Sequence, residues 1–349
     1  MSVALREHSA YITLDPSSVA DSRCSKVRLP GLVGRESSLK FCGGTIVGLE
    51  NDRWLDGWHE PMVVHAMLNP ARAARGVLLD IGANAGLFSI VALSGTYQSV
   101  LSFEPQPACA DALKFMRSQN GSPSQWRIFN YGVARNESAP FAVPGVSCGM
   151  NWQLAGLAKR KYTASAAPLS SIVSMIDQGD EPVFLKIDTD GSEVAILEAV
   201  VDLIPPHHFR TGKHAHLAMA QPARLAGGHA SFARLPELYV EVNPADWHRF
   251  EDKTLSDGVA ALMALGKHYT DIYFFSGMTT SCEGIGLHTA DGTNLTEPYL
   301  YLGTNRAPNR WAGKMGHRMD ILRITDFRAL VERCVLGTRP LQMNLWFAR

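Results

Sequence analysis

Short, mainly apolar runs alternate with helix-like segments through the middle of the chain. These runs cover residues 76–81, 99–103, 126–131, 183–188 and 238–242. Strands that are apolar on both faces are typical of a parallel sheet, because the connections between parallel strands place helices on both sides of it. We therefore predict an α/β fold with a mostly parallel sheet and helices on both faces.

The segments between the apolar runs predict helices. The expected helices are Ala85 to Leu93, Pro107 to Ser118, Ser192 to Leu203 and Thr254 to Lys267. The 23 residues from Ile81 to Phe103 carry no charge and are long enough to span a bilayer. Their glycines and turn residues fit a strand-turn-helix-turn-strand passage better, so we expect no membrane span.

Three segments interrupt the alternation, and each is longer than an ordinary structureless loop. They are residues 132–169, 205–236 and 276–318. Histidines and alanines are concentrated in the second segment, which we interpret as a solvated loop. We predict an N-terminal extension or cap over 1–53 and a main domain over 54–349 that contains the three insertions.

Charge and cysteine content limit the partners and the compartment. Lys plus Arg and Asp plus Glu both number 33, so the net charge is zero and no general attraction to nucleic acid is expected. The six cysteines are irregularly spaced, with no paired-thiol motif, which favours free thiols. Residues 1–28 do not resemble a signal peptide. We expect a cytoplasmic protein, with a lumenal location left open by three N-glycosylation triplets.

A glycine-rich turn follows the first apolar run, in the order Asp80-Ile-Gly82-Ala-Asn84-Ala-Gly86. Gly82 permits a tight turn and leaves room for a ligand, and Gly86 permits close packing between helix and strand. An ordinary strand-to-helix turn would also explain the glycines alone. However, Glu104 ends the second apolar run, where a carboxylate can accept both hydroxyls of a ribose.

The same region resembles a known family. Asp80–Ser89 resembles the first motif of FkbM-type methyltransferases, and Phe103–Pro107 resembles the second. Leu185–Glu193 is similar to the family's K-I-D-x-E-G-x-E motif, although Asp190 stands where the family usually has Glu. His59-Glu60-Pro61 lies where the family often has a Y-E-P-like element. The resemblance extends over roughly residues 55–275.

This resemblance implies a Rossmann-like class I methyltransferase fold with a mostly parallel seven-stranded sheet. The N-terminal extension and the long loop insertions are additions of this chain, and the 205–236 insertion is unusual for the family. It also implies S-adenosyl-L-methionine as cofactor and usually O-methylation, with a small-molecule or sugar hydroxyl as acceptor. The expected cofactor-binding residues are Asp80, Gly82, Asn84, Gly86, Glu104, Asn130 and Asp188.

Methyl transfer to an aliphatic hydroxyl also needs the hydroxyl proton removed, by a base or with the help of a cation. The candidates are Asp188, Lys186 and Glu193, near the carboxyl end of the fourth apolar run. An ion pair with a neighbouring acid is the alternative for Lys186. A favourable interaction with the helix dipole is the alternative for Glu193.

We predict no metal site, with one alternative. Asp188, Glu241 and Asn243 offer oxygen ligands that suit Mg²⁺ at the ends of two strands. Asn243-Pro244 could equally be a simple turn.

Two other functions fit part of the pattern. The first is a non-catalytic protein that binds an adenosyl ligand or acts as an adaptor on the same fold. The second is a nicotinamide dehydrogenase, which the glycine spacing disfavours because it lacks the G-x-G-x-x-G fingerprint.

Overall fold

The structure is a computed structural model. It describes residues 13–15, 24–28, 39–42, 67, 76–95, 97–136, 138–144, 148, 161–176, 182–205, 231–250, 253–276, 287–288, 320–337 and 342–348.

Helices and strands alternate through the described residues. The strands are β1 Thr13–Asp15, β2 Ser25–Arg28, β3 Lys40–Phe41, β4 Val77–Ile81, β5 Ser99–Phe103, β6 Trp126–Phe129, β7 Gly132–Ala134, β8 Ser138–Pro144, β9 Lys161–Pro168, β10 Val183–Ile187, β11 Glu237–Val242, β12 Asp271–Ser276, β13 Leu287–His288, β14 Asp320–Ile324 and β15 Met343–Ala348. The helices are α1 Leu87–Gly95, α2 Pro107–Gln119, α3 Leu169–Ser174, α4 Glu193–Leu203, α5 Trp247–Phe250, α6 Leu255–Gly266 and α7 Phe327–Leu336.

The main sheet has nine strands in the order β13-β14-β12-β15-β11-β10-β4-β5-β6. The neighbours from β11 to β6 are all parallel, and β15 lies antiparallel between β11 and β12. The predicted α/β fold with a mostly parallel sheet is confirmed. The sheet exceeds the expected seven strands because β14 and β13 add an antiparallel edge beside β12.

The central strands are buried on both faces, as their apolar runs predict. Alternate residues of β4 point to opposite sides, so Leu79 belongs to the hydrophobic cluster that includes residues of α4, α6 and α7. Leu78 packs on the other side, with residues of α1 and α2. The two hydrophobic clusters therefore cover both faces of the sheet and hold the carboxyl ends of its parallel strands in fixed positions.

The first interrupting segment contains regular structure. Within 132–169, β7, β9 and β8 form a separate three-stranded sheet in that order. Most of the second segment, 206–230, and most of the third, 277–286 and 289–319, lie outside the described residues, as does the predicted domain boundary at 53.

The uncharged stretch from Ile81 to Phe103 is divided between the end of β4, the helix α1 and the strand β5. Among the helices that the structure describes, none is both long and apolar enough to cross a membrane.

The expectation of free thiols is wrong. Cys24 is bridged to Cys42 and Cys109 to Cys148, and Cys334 is also disulfide-bonded. No cysteine in the described part of the chain is free. The partners in the two bridges are 18 and 39 residues apart, so sequence spacing could not reveal that folding brings them together.

Candidate functional site

The predicted site residues converge at the carboxyl edge of the parallel strands. The glycine turn leaves β4, Glu104 follows β5, Asn130 follows β6 and Asp188 follows β10. Open parallel sheets bind their ligands at this edge, where the loops of neighbouring strands come together.

Positive backbone angles shape the glycine turn. The φ angles are +75° at Gly82, +47° at Asn84 and +82° at Gly86. A Cβ atom on Gly82 would lie 1.8 Å from the backbone oxygen of Asp188, and one on Gly86 would lie 2.3 Å from the Leu113 side chain. Both glycines are therefore required, the first where the turn crosses the end of β10 and the second where it packs against α2.

The Glu104 carboxylate lies beside this turn and is 3% exposed. One of its oxygens accepts the backbone N–H of Gln106 and the other accepts that of Asn84, both at 2.8 Å. Burial raises the pKa of Glu104 to about 7, although the two N–H donors act in the opposite direction. Each carboxylate oxygen can accept a further hydrogen bond, so the group can bind the two hydroxyls of a diol.

Asn130 supports the same loop. Its side-chain amide donates to the backbone oxygens of Glu104 at 2.9 Å and Pro105 at 3.2 Å. These bonds join the end of β6 to the end of β5. The structure therefore places Asn130 next to Glu104, as a support for the loop that carries the carboxylate.

Lys186 is a buried cation that joins three parts of the site. Its ammonium group donates to the backbone oxygen of Gly82 at 2.8 Å, and it lies 3.0 Å from the Asp188 carboxylate and 3.4 Å from that of Asp80. The side chain is 1% exposed. The alternative of an ion pair with a neighbouring acid is confirmed. Three acceptors match the three N–H donors of an ammonium group, so Lys186 is arranged as a positioning residue and not as an open base.

Asp80 lies wholly inside the sheet. One of its carboxylate oxygens accepts the Ser89 hydroxyl at 2.5 Å. The Ser89 and Ser102 hydroxyls are 2.6 Å apart, and the Trp126 indole donates to Ser102 at 2.8 Å. Asp80 is thus connected to Lys186 and to a buried polar network. These contacts fix the end of β4, from which the glycine turn begins.

Exposure separates the three candidate catalytic residues. The Asp188 side chain is 20% exposed, whereas Lys186 and Glu193 are buried. Glu193 accepts the Gly191 N–H at 2.6 Å and the Trp247 indole N–H at 2.8 Å, and burial raises its pKa to about 7. Of these three residues, Asp188 has the carboxylate that a bound acceptor can reach.

Three carboxylates gather beside Asp188. Oxygens of Asp188, Asp190 and Glu241 lie within 4.8 Å of one another, and burial, followed by the neighbouring acids, raises the pKa of Asp190 above its ordinary range. Carboxylate oxygens suit a hard divalent cation such as Mg²⁺. Asn243, the third ligand of the metal alternative, donates its amide to Glu241 at 3.2 Å, and Gln342 donates to the same oxygen.

Some residues of the site were missed from the sequence. Asp190 lies inside a motif that drew attention to it only as a departure from the family pattern. Trp247, which holds Glu193, is 54 residues away along the chain, and no local signal connects the two. The Cys109–Cys148 bridge beside Asn84 was missed for the same reason.

A glycine turn after β4, a buried acid after β5 and polar groups after β10 thus lie together at one edge of the sheet. Residues 80–211 match the family described as "Methyltransferase FkbM domain". Over these residues the chain is similar to methyltransferases of the FkbM type.

Similarity to solved structures is low throughout. An FkbM methyltransferase from Methylobacillus flagellatus KT is 15% identical with a TM-score of 0.28, over 49% of this chain and 33% of that one. The chain thus spans about a third of the length of that protein. Precorrin-6y C5,15-methyltransferase from Geobacter metallireducens GS-15 is 10% identical with a TM-score of 0.32, over 83% of this chain and 89% of that one.

A third solved structure is Trm1 from Pyrococcus horikoshii in complex with S-adenosyl-L-methionine. It is 11% identical with a TM-score of 0.28, over 78% of this chain and 55% of that one. No curated protein matches the chain.

Proposed function

We propose that this protein uses S-adenosyl-L-methionine to methylate a hydroxyl group on a small molecule or a sugar. The observation that carries the proposal is the buried Glu104 carboxylate beside the glycine turn, with both oxygens already oriented by backbone N–H groups. A buried acid at this edge of the sheet fits a ribose diol, and the glycine turn lies at the edge where open parallel sheets bind their ligands.

The cofactor would be held mainly by the glycine turn and by Glu104, with Asn130 supporting the loop that carries that acid. When bound, S-adenosyl-L-methionine supplies an activated methyl group. The chain's own contribution is to orient the acceptor, exclude water and take up the hydroxyl proton.

Asp188 is the residue that we assign to the acceptor. Its carboxylate is partly exposed and is oriented by the Lys186 ammonium group at 3.0 Å. Lys186 and Glu193, the other two candidate bases, act as positioning residues in this proposal, because both are buried among their own partners. Asp188 thus receives or orients the acceptor hydroxyl while Lys186 fixes its position relative to the turn.

The cluster of Asp188, Asp190 and Glu241 supports a second version in which a divalent cation assists deprotonation. The two versions differ in one measurable property, because chelation by EDTA lowers turnover only in the second.

A turnover assay distinguishes the proposed enzyme from a non-catalytic protein that binds an adenosyl ligand. We would incubate cell extract with methyl-labelled S-adenosyl-L-methionine and the purified chain, and compare the labelled metabolites with those formed by Glu104→Ala. A labelled product that only the wild type forms supports the enzyme and identifies the acceptor. Binding of S-adenosylhomocysteine without any labelled product favours the non-catalytic protein.

The cystines also bear on the compartment. Cys24, Cys42, Cys109 and Cys148 are all buried and bridged, and disulfides persist in oxidising compartments and not in a reducing cytosol. We therefore favour an oxidising compartment over the cytoplasm. Alkylation of the endogenous chain before reduction tests this choice, because labelled cysteines at these positions would restore the cytoplasmic prediction.

A further inference from the structure

The Cys109–Cys148 bridge lies directly against the glycine turn. The Asn84 side-chain oxygen is 3.1 Å from the Cys148 sulfur and 3.7 Å from the Cys109 sulfur. Because a bridged sulfur carries no hydrogen, these are packing contacts and not hydrogen bonds. Both cysteines are buried, so the bridge forms a fixed wall beside Asn84.

Asn84 needs such support. Its φ of +47° lies in the left-handed region. Asparagine tolerates this region better than most residues but less readily than glycine, so contacts that fix the turn stabilise it. Besides the turn's own backbone hydrogen bond from Gly86 to Ala83, two contacts of Asn84 itself help to hold it there. Its backbone N–H donates to Glu104 at 2.8 Å, and its side chain rests on the bridge.

The bridge also joins two distant parts of the chain. Cys109 lies in α2 and Cys148 lies within the 132–169 segment, 39 residues further along. Without the bond, nothing covalent would keep the Cys148 sulfur against Asn84. The Asn84 side chain would then lose the packing contact that supports it, and the N–H that orients Glu104 would be held less firmly.

We propose that the Cys109–Cys148 cystine is a positioning element of the cofactor site, which holds Asn84 and, through its backbone N–H, the Glu104 carboxylate. The effect on the cofactor rests on the proposed function of Glu104. The effect on the turn itself does not depend on that function.

A second cystine provides a matched control. Cys24 and Cys42 are equally buried, but their bridge joins the residues next to β2 and β3 in the N-terminal sheet. Removing each bridge with paired alanines in the full chain therefore compares two similar losses of covalent restraint. Only one of these bridges contacts Asn84.

The measurements are the dissociation constant of S-adenosylhomocysteine and the hydrogen exchange of the 82–86 amides in the ligand-free protein. Cys109→Ala with Cys148→Ala should weaken binding by about tenfold or more, as expected when a hydrogen bond that orients a charged group is lost. It should also accelerate exchange in the turn while the strand amides of β4 and β10 stay protected. Cys24→Ala with Cys42→Ala should change affinity by less than about twofold.

Unchanged affinity and unchanged exchange in the first variant overturn the proposal, as does an equal effect in both variants. If the first variant does not fold, the wild-type chain is reduced and alkylated under native conditions. Uniform loss of protection across the sheet would then also overturn the proposal.

Asn84→Gly gives a further check, since glycine adopts the left-handed angle without support. In that background, removing the bridge should no longer accelerate exchange in the turn. If the wild type does not bind S-adenosylhomocysteine at all, the proposed function fails, and the exchange measurements still decide the role of the cystine.

Discussion

Replacing Glu104 with glutamine would test the cofactor site at its most constrained point. The change keeps the shape of the side chain and removes its charge. In the structure both carboxylate oxygens accept a backbone N–H, from Gln106 and from Asn84. A glutamine has one acceptor oxygen, so its NH₂ group must face one of these two donors.

The expected loss follows from these contacts. Hydrogen bonds to a charged group contribute about 1.5–3 kcal/mol each, and the ribose diol would make two such bonds to Glu104. Glutamine would lose one of them and weaken the other. Because about 1.4 kcal/mol corresponds to a tenfold change in the dissociation constant, we expect Glu104→Gln to weaken binding of S-adenosylhomocysteine by at least about tenfold and on the order of a hundredfold.

The pH dependence adds a second signature. Burial raises the pKa of Glu104 to about 7, so the charged form that accepts both hydroxyls becomes dominant as the pH rises through about 7. Affinity in the wild type should therefore increase by up to about tenfold from about pH 6 to about pH 8. Glu104→Gln should lack this increase.

The stability of the ligand-free protein should change in the opposite direction. A carboxyl group with a raised pKa in the folded state contributes stability that is complete below its ordinary pKa, and this contribution is lost as the pH rises through about 7. Between about pH 4.5 and about pH 7, the free energy of unfolding of the wild type should therefore fall more steeply than that of Glu104→Gln.

The assay is isothermal titration of S-adenosylhomocysteine into each variant across this pH range. Glu332→Gln is the matched control. It replaces the same type of residue in the same way on the surface of α7, where Glu332 pairs with Arg328. The role of Glu104 would be refuted if Glu104→Gln bound S-adenosylhomocysteine within about twofold of the wild-type dissociation constant and kept the wild-type pH dependence, as Glu332→Gln is expected to do.

Three further predictions follow from the same edge of the sheet. Gly82→Ala should abolish binding of S-adenosylhomocysteine, because its Cβ would lie 1.8 Å from the Asp188 backbone oxygen; normal binding in a folded variant would show that the turn is not part of the site. Lys186→Met should cost about 3–5 kcal/mol of unfolding free energy, because it leaves the buried Asp80 carboxylate without its cation; a loss below about 1 kcal/mol in urea unfolding would contradict this. Asp188→Asn should bind S-adenosylhomocysteine nearly normally and lose about 10²–10⁴ in turnover. Titrations of the wild type with EDTA and Mg²⁺ distinguish a general base from a cation ligand. Near-normal turnover of Asp188→Asn, without metal dependence of the wild type, would exclude both roles.

The core of the fold could be predicted because its signals are local. The strands β4, β5 and β10 are mainly apolar, which reflects burial on both faces, and their helices begin within a few residues of each strand end. The β9 strand could not be recognised, because Lys161–Pro168 consists largely of small residues without an apolar alternation. β15 is buried along its length and is apolar except for Asn344. However, no motif marks this strand, and its place between β11 and β12 depends on contacts distant in the sequence.

The sequence likewise predicts only part of the candidate site. Gly82, Glu104 and Asp188 lie in short motifs that can be read directly. The burial of Glu193 against Trp247 and the cystine against Asn84 depend on pairs that only the folded chain brings together. Solvent access, which distinguishes Asp188 from Lys186 two residues earlier, likewise follows from tertiary packing.

The central claim is that this edge of the sheet binds an adenosyl ligand through the glycine turn and Glu104. Calorimetric titration of the oxidised wild-type chain with S-adenosylhomocysteine and, separately, with NADH at about pH 8 tests it most directly. We expect saturable binding of S-adenosylhomocysteine at one site per chain and no binding of NADH. Saturable binding of NADH with none of S-adenosylhomocysteine would refute the adenosyl site and support a nicotinamide-dependent protein instead.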